Sequence, residues 1–448
     1  MNRPRVLLVC VLFAGAAASA SCDPGRAGPP GAAAEPIVVT GGWNDFDSAE
    51  ERAKFMTVLD GFTARTGIPV VYRAPTNRDR FAPGLLADID HGQAPDVAFL
   101  PQPGLLRTLA GCGRLSPLPD EVQRSIAANY TPMWQQLGAV DGTSYGVVFK
   151  AANKSTIWYD TSTFATAGVE PPKNWADFLR VSESVRAVTS SAIAIGGANE
   201  WVLTDWFENI YLRQAGSEKY DELAQHKIPW TDPSVLRALT TLSQLWSTPG
   251  LVAGQPARMD LNQSVAAVFD EHNAGMVFEG DFLVNSVASL VGTAGLWNRA
   301  KFFEFPSFGR PNSTLMVGGD IAVMTRRSAG AARFLQYLAS PESAASWARA
   351  GGLVSPNRNL PLDTYQDLAS RQSAADLANA KVIRFDLSDQ LPTEFGGTPD
   401  QGLWLGLHDL LKKSPAELKD PQTITSLTRT LELRATGADN SSSRPGCG

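Results

Sequence analysis

IVVTGGWNDFDSAEERAKFMTVLDGFTARTGIPVVY, residues 37–72, decides the fold. Ile37-Val38-Val39-Thr40 is a β-branched run of the kind that packs well on a pleated surface, and it stops at Gly41-Gly42-Trp43. From about Glu50 to Thr66, the apolar residues Phe55, Val58, Leu59 and Phe62 recur at i, i+3, i+4 and i+7, which is one face of a helix. Gly67 stands where a C-terminal cap belongs, and Pro69 prevents the helix from continuing. Pro69-Val70-Val71-Tyr72 then reads as a second strand. Asp96-Val97-Ala98-Phe99-Leu100 reads as a third, after an expected helix around Phe81 to Ile89. Strand, helix, strand, helix, strand implies βαβ units and a parallel sheet.

The pattern returns further along. Strands are expected at Tyr145–Phe149, Thr156–Tyr159, Ile193–Ile195, Asn273–Phe278, Phe302–Pro306 and Gly319–Met324. Helices are expected at Trp175–Val188, Asp205–Ala215 and Ser234–Trp246, and the chain after Ala329 reads as largely helical. No internal repeat is visible.

Upstream of the first strand, Met1–Arg5 carries two arginines, and Val6–Ala20 is an apolar and small-residue run. A positive start, a short apolar stretch and small residues at its end make a secretory signal, 1–21. The run is shorter than the ~20 apolar residues a membrane span needs. Ser19-Ala20-Ser21-Cys22 resembles a bacterial lipobox, with Ser19 where leucine is usual, so Cys22 is the expected lipidation site. Ala18-Ser19-Ala20 also fits an ordinary signal-peptidase site. Residues 22–35, rich in Pro, Gly and Ala, read as a flexible tether. What remains of the 448 residues is too long for one core, so two domains are expected.

The composition, 44% hydrophobic and 19% charged, is that of a soluble globular protein. A net charge of −6 without a basic tract argues against a nucleic-acid partner. Cys10 leaves with the signal and Cys22 is taken by the lipid, leaving Cys112 and Cys447. One disulfide between those two suits an oxidising compartment and would pin the polar tail, 435–448; two unpaired thiols are the alternative.

Taken in order, several segments resemble the extracellular solute-binding proteins of carbohydrate ABC importers, the group that includes maltose-binding protein. Ile37-Val38-Val39 with Gly41-Gly42-Trp43 resembles the opening strand and its ligand-facing loop. Phe62 through Val70 resembles the first helix end and second strand, and Gln93-Ala94-Pro95-Asp96-Val97 the "G-x-x-P-D-V" strand. Asp141-Gly142-Thr143-Ser144-Tyr145-Gly146-Val147-Val148 resembles the "dG-k-x-Y-G-v-P" crossover, with Val148 in place of proline. Phe334 through Glu342 matches the "F-x-x-y-L-x-S-p-E" helix end. Phe149-Lys150, Lys154-Ser155, Thr204-Asp205-Trp206 and Glu218-Lys219-Tyr220-Asp221 look most like the α-glucoside branch, which takes up maltose, trehalose or sucrose.

The resemblance implies an α/β, two-lobed periplasmic-binding-protein-like fold (type II) with the ligand cleft between lobes. Lobe 1 is expected at 36–149 and 318–345, and lobe 2 at 150–317 and 346–434. It also implies a monomeric receptor without cofactor, whose partners are a sugar, ABC permease subunits with their cytoplasmic ATPase, and the membrane through the lipid anchor. Hinge closure would bury the ligand.

Sugars offer C–H faces to aromatic rings and hydroxyls to carboxylates and amides. Trp43, with Asn44 and Asp45, lies at a strand end and is read as ligand-facing in preference to packing. Trp201, Asp205 and Trp206 form the densest aromatic and carboxylate cluster, with one of the two tryptophans expected in the core. Glu279 and Asp281 flank Gly280, which admits close backbone approach. Gly319-Asp320 opens a strand at the second crossover, and Lys150 follows the first, to donate to a sugar oxygen or join an interlobe ion pair. Trp404 is assigned to the core on its apolar neighbours, and Trp175, Trp230, Trp246 and Trp347 to packing.

The rival readings are a secreted glycoside hydrolase and a surface carbohydrate-recognition protein. Gly142-Thr143-Ser144-Tyr145-Gly146 matches G-x-S-x-G, but a nucleophile elbow needs a strand before it and a helix after it. Here an Asp-Gly turn precedes and an apolar strand follows. Glu279 and Asp281 offer a carboxylate pair, yet nothing marks one as the acid. His91, His226, His272 and His408 share no metal-ligand spacing.

Overall fold

The computed structural model describes residues 34–443 except 46–47, 77–79, 293–295 and 310–313. The expected signal, Cys22 and Cys447 lie outside the described residues. No described helix is long and apolar enough to cross a membrane.

The opening stretch folds as its pattern requires. Phe55, Val58, Leu59 and Phe62 are the buried face of the helix Ala49–Thr66. Gly67 ends that helix in the left-handed conformation, φ 72°, and its N–H returns to the Thr63 carbonyl at 2.8 Å. Strand Ile37–Thr40 pairs in parallel with Val70–Arg73 on one side and with Val97–Leu100 on the other.

Two sheets result. The first has the order Val382–Phe385, Thr314–Met324, Val97–Leu100, Ile37–Thr40, Val70–Arg73, and Gly146–Asn153 also pairs with Thr314–Met324. The second has the order Ala300–Glu304, Thr156–Asp160, Ala274–Phe278, Ser191–Ala194. Helices cover both; the first sheet packs in one apolar core, and the strands of the second divide between two, one holding Ile157 and Phe278 and the other Trp158 and Val277. The expected helix at Asp205 is longer than its pattern suggests, Trp201–Ala224, with a break at Gly216, φ 84°.

The antiparallel pair Gly146–Asn153 and Thr314–Met324 leads from one core to the other, with Gly318 opposite Ala152 and Gly319 opposite Ala151. A side chain at Gly319 would place its Cβ 2.4 Å from the Lys150 carbonyl oxygen, so only glycine lets these strands approach.

The assignment of 346–434 to the second lobe needs correction. Trp347, Leu353, Val354, Tyr365, Ile383 and Phe385 pack in the first core, Ala369 alone of the buried apolar residues here packs against the second sheet, and from Leu387 onward the chain joins the second lobe. The cause is the short strand Val382–Phe385, which pairs in parallel with Thr314–Met324 and draws the preceding helix with it. Cys112 is disulfide-bonded.

Candidate functional site

A cavity of about 670 Å³ lies between the two cores. It is within the range that takes a small ligand. Its wall is built largely from helix starts: Glu50 and Glu51 on Ala49–Thr66, Gln102 just before Pro103–Gly111, Trp201 on Trp201–Ala224, and Asp260 before Leu261–Phe269. The crossing strands supply Lys150, Gly319 and Asp320, and Lys154 follows them. Converging strand ends and helix starts are where open α/β folds hold their ligands.

Three aromatic side chains of the second lobe face this space: Trp201, Phe282 and Trp404, with the Trp201 and Phe282 centroids 6.1 Å apart. Beside them stand polar atoms without partners in the protein. The indole N–H of Trp404, the side-chain carbonyl of Gln102 and the amide nitrogen of Asn285 are buried and make no hydrogen bond. Asn285 uses only its oxygen, which accepts from Lys54 at 3.0 Å. A buried donor or acceptor left unsatisfied costs about 1–3 kcal/mol, so a ligand hydroxyl that pairs with it recovers that loss.

Both cavity lysines are engaged. The Lys150 ammonium binds Glu51 and lies 5.4 Å from the Trp347 ring centre. Lys154 meets Asp205 at 2.9 Å, binds Asp386, and sits 5.5 Å from the Trp201 ring centre. Asp205, Glu208 and Asp386 each bring an oxygen within 4.8 Å of the others, spacing that a cation could use. The Lys154 ammonium already supplies positive charge there. Glu208 also accepts the backbone N–H groups of Leu387 and Ser388, fastening the third passage between the cores to the helix Trp201–Ala224.

Burial dominates the electrostatics of this cluster. It pushes Glu279 up to about 8 and, with the neighbouring Asp386, pushes Asp389 up to about 8. Asp205 and Glu208 are likewise raised by burial, with Asp386 adding to the effect. Burial opposes the charge on Lys154, but Asp205 and Asp386 outweigh it and hold the ammonium well above its ordinary value.

Of the residues singled out from sequence, Lys150, Trp201, Gly319 and Asp320 line the cavity. The others stand elsewhere. Trp43 is fully buried, with ring centres 4.4 Å from Phe55, 5.2 Å from Phe99 and 5.1 Å from Trp347. Its indole folds back over Gly41, where a side chain would meet it, so that glycine admits the ring to the core and does not present it to a ligand. Asn44 is buried, and its backbone N–H bonds the Ser48 hydroxyl at 2.9 Å. Asp45 is exposed and pairs with Arg52 at 3.1 Å.

Trp206 is the core member of its pair, against Phe278 at 4.7 Å and Phe305 at 5.8 Å. Asp205 and Glu279 are wholly buried in the lysine cluster behind the wall. Asp281 accepts the Asn153 N–H at 3.0 Å and braces the crossing strand. The lysine alternative for Lys150 resolves as an ion pair, though its partner Glu51 belongs to the first lobe.

Trp404 departs the other way, lining the cavity despite its apolar neighbours. Gln102, Phe282, Asn285 and Asp389 were also missed. The helix start at Pro103 is the local signal that marks Gln102; its contact with Gly397 is remote in sequence.

A cleft between two α/β lobes, walled by aromatic rings and unpaired polar groups, defines a receptor for a small polar solute. The chain belongs to the bacterial extracellular solute-binding protein family, whose model matches residues 47–345. This is a family of receptors and not of enzymes. Over 380 residues it is 33% identical to the osmoprotective compounds-binding protein of Synechocystis sp., covering 81% of this chain and 86% of that one. Over 403 residues it is 28% identical to the alpha-glucosides-binding periplasmic protein of Rhizobium meliloti, covering 85% of each. Among solved structures, the bacterial solute receptor AcbH, described with a substrate preference for β-D-galactopyranose, superposes with a TM-score of 0.76 at 21% identity. That match covers 90% of this chain and 99% of AcbH and bears on the fold.

Proposed function

We propose that the protein binds a neutral α-glucoside, a disaccharide or short oligosaccharide such as maltose, trehalose or sucrose, and delivers it by lobe closure to the permease of an ABC importer. The observation that carries this reading is the pairing of the Trp201, Phe282 and Trp404 rings with the unbonded polar atoms of Gln102, Asn285 and Trp404. Rings suit the C–H faces of a sugar, and unpaired donors and acceptors suit its hydroxyls. The cavity ammonium groups are held by carboxylates, which favours a neutral ligand over an anion. The name of one relative, the alpha-glucosides-binding periplasmic protein, supports the α-glucoside class.

The same proposal includes a lipid on Cys22 and a bridge from Cys112 to Cys447. Intrinsic tryptophan fluorescence, titrated with maltose, trehalose, sucrose, lactose and xylobiose, tests the ligand class. A saturable change with an α-glucoside alone, the sugar recovered intact, is the expected result. Saturation only by lactose or xylobiose would sink the α-glucoside assignment.

A further inference from the structure

His408 lies one helical turn beyond Trp404 on the helix Gly402–Leu411 and takes no part in the cavity itself. Its Nδ1 stands 3.1 Å from Glu200, and its Nε2 stands 3.1 Å from the carbonyl oxygen of Ala257. A carbonyl has no proton to give, so Nε2 must donate. Nδ1 then faces a carboxylate, and a proton must lie between the two groups for the contact to be attractive. The other oxygen of Glu200 accepts the N–H of Asp400 at 2.8 Å, just before Gly402–Leu411 begins. His408 and Glu200 are both largely buried, with side chains 15% and 8% exposed.

These contacts join three segments that build one side of the cavity. Glu200 directly precedes Trp201; Ala257 belongs to the turn Pro256–Arg258, shortly before Asp260; His408 shares a helix face with Trp404. Among the other charged groups on elements packed here, Arg434 binds the Gly402 carbonyl at 2.9 Å. Arg258, Glu394 and Asp409 are exposed, and Lys412 pairs with Asp409. Glu200 is therefore the charged partner of the imidazole.

We propose that His408 is a positioning residue: with its shared proton it clamps Glu200 to Ala257, sets the spacing of Trp201 and Trp404, and thereby tunes affinity for the solute.

The indole N–H signals of the ligand-free, 15N-labelled protein, assigned by Trp201→Phe and Trp404→Phe, are compared in native, His408→Gln and His408→Arg proteins. Both signals should shift in His408→Gln, which cannot donate to Glu200 and Ala257 as the imidazole does. His408→Arg, a permanent double donor, should hold both near their native positions. In parallel, the Kd for trehalose should rise about three- to tenfold in His408→Gln and return toward the native value in His408→Arg. Indole signals that His408→Gln leaves in place, or that His408→Arg displaces as far as His408→Gln does, would overturn the proposal. Should His408→Gln not fold, Glu200→Gln carries the same comparison, with the same two outcomes. The trehalose arm rests on the sugar-site reading above. Absence of sugar binding would count against that reading, while the indole signals of the free protein still decide this one.

Discussion

Trp404 and Trp43 are both large, almost completely buried indoles whose N–H groups make no hydrogen bond, yet their surroundings assign them opposite tasks. Trp404 borders the cavity, so its N–H can be satisfied by a ligand; Trp43 is enclosed by Phe55, Phe99 and Trp347. Trp404→Phe keeps an aromatic wall and deletes the donor. It should weaken sugar binding about five- to tenfold, roughly one neutral hydrogen bond, with the unfolding midpoint little changed. Calorimetric titration beside thermal unfolding checks both halves; unchanged affinity would make the indole a packing group. Trp43→Ala should instead lose about 3–5 kcal/mol of stability in urea unfolding while the folded protein keeps its affinity. Sequence could not separate these two. The turn Gly41-Gly42 before Trp43 looks open on paper, and the apolar neighbours of Trp404 look like core. What distinguishes them is which remote side chains close over each ring.

At the scale of elements, the passage between cores concentrates both the close backbone approach and the buried charge. Lys154 serves Asp205 and Asp386 at once. Lys154→Met would leave those carboxylates without their cation, and breaking a buried pair in this way costs about 3–5 kcal/mol. The expected loss in denaturant unfolding should be smaller at acid pH, where the carboxyls are protonated.

Glu279 makes the pH argument separately. Burial raises its carboxyl from an ordinary 4.5 to about 8, so the folded state holds the proton more tightly than the unfolded chain. Its contribution is full below the unfolded value and is lost as pH rises toward about 8. Thermal stability should therefore fall across that window, and Glu279→Gln should flatten part of the slope and raise stability most at the alkaline end. A variant with the unchanged native slope would contradict the assignment. Elements differ in how far they declare themselves. The helix Ala49–Thr66 is legible because its apolar stripe, its αL glycine and Pro69 all agree. Val382–Phe385 is not, since four residues after a helix carry too little periodicity, and its place depends on a neighbour strand almost 70 residues earlier in the chain.

Across the whole molecule, the order of strands and helices made two α/β lobes readable, because each βαβ unit is a local pattern. The cleft was readable where a crossover motif marked it, at Lys150 and at Gly319-Asp320, and at Trp201, where an aromatic and carboxylate cluster did. The rest of the wall gathers residues from Ser48 to Trp404, and no local spacing records that convergence. The lobe boundary at 346 failed for the same reason, since the first core reclaims the chain as far as Phe385. At this scale the N-terminal expectation is also testable. Cys22→Ala should lose acyl mass and membrane association; an unchanged mass and unchanged association would remove the anchor.

The most direct test of the cleft as a sugar site compares native protein with Trp201→Ala/Trp404→Ala in calorimetric titrations with trehalose, maltose and sucrose. The account predicts saturable micromolar binding of one α-glucoside to the native protein, the sugar recovered intact, and no detectable binding to a double variant that still unfolds cooperatively. A folded double variant that binds as the native protein does, or sugar recovered in cleaved form, would contradict it.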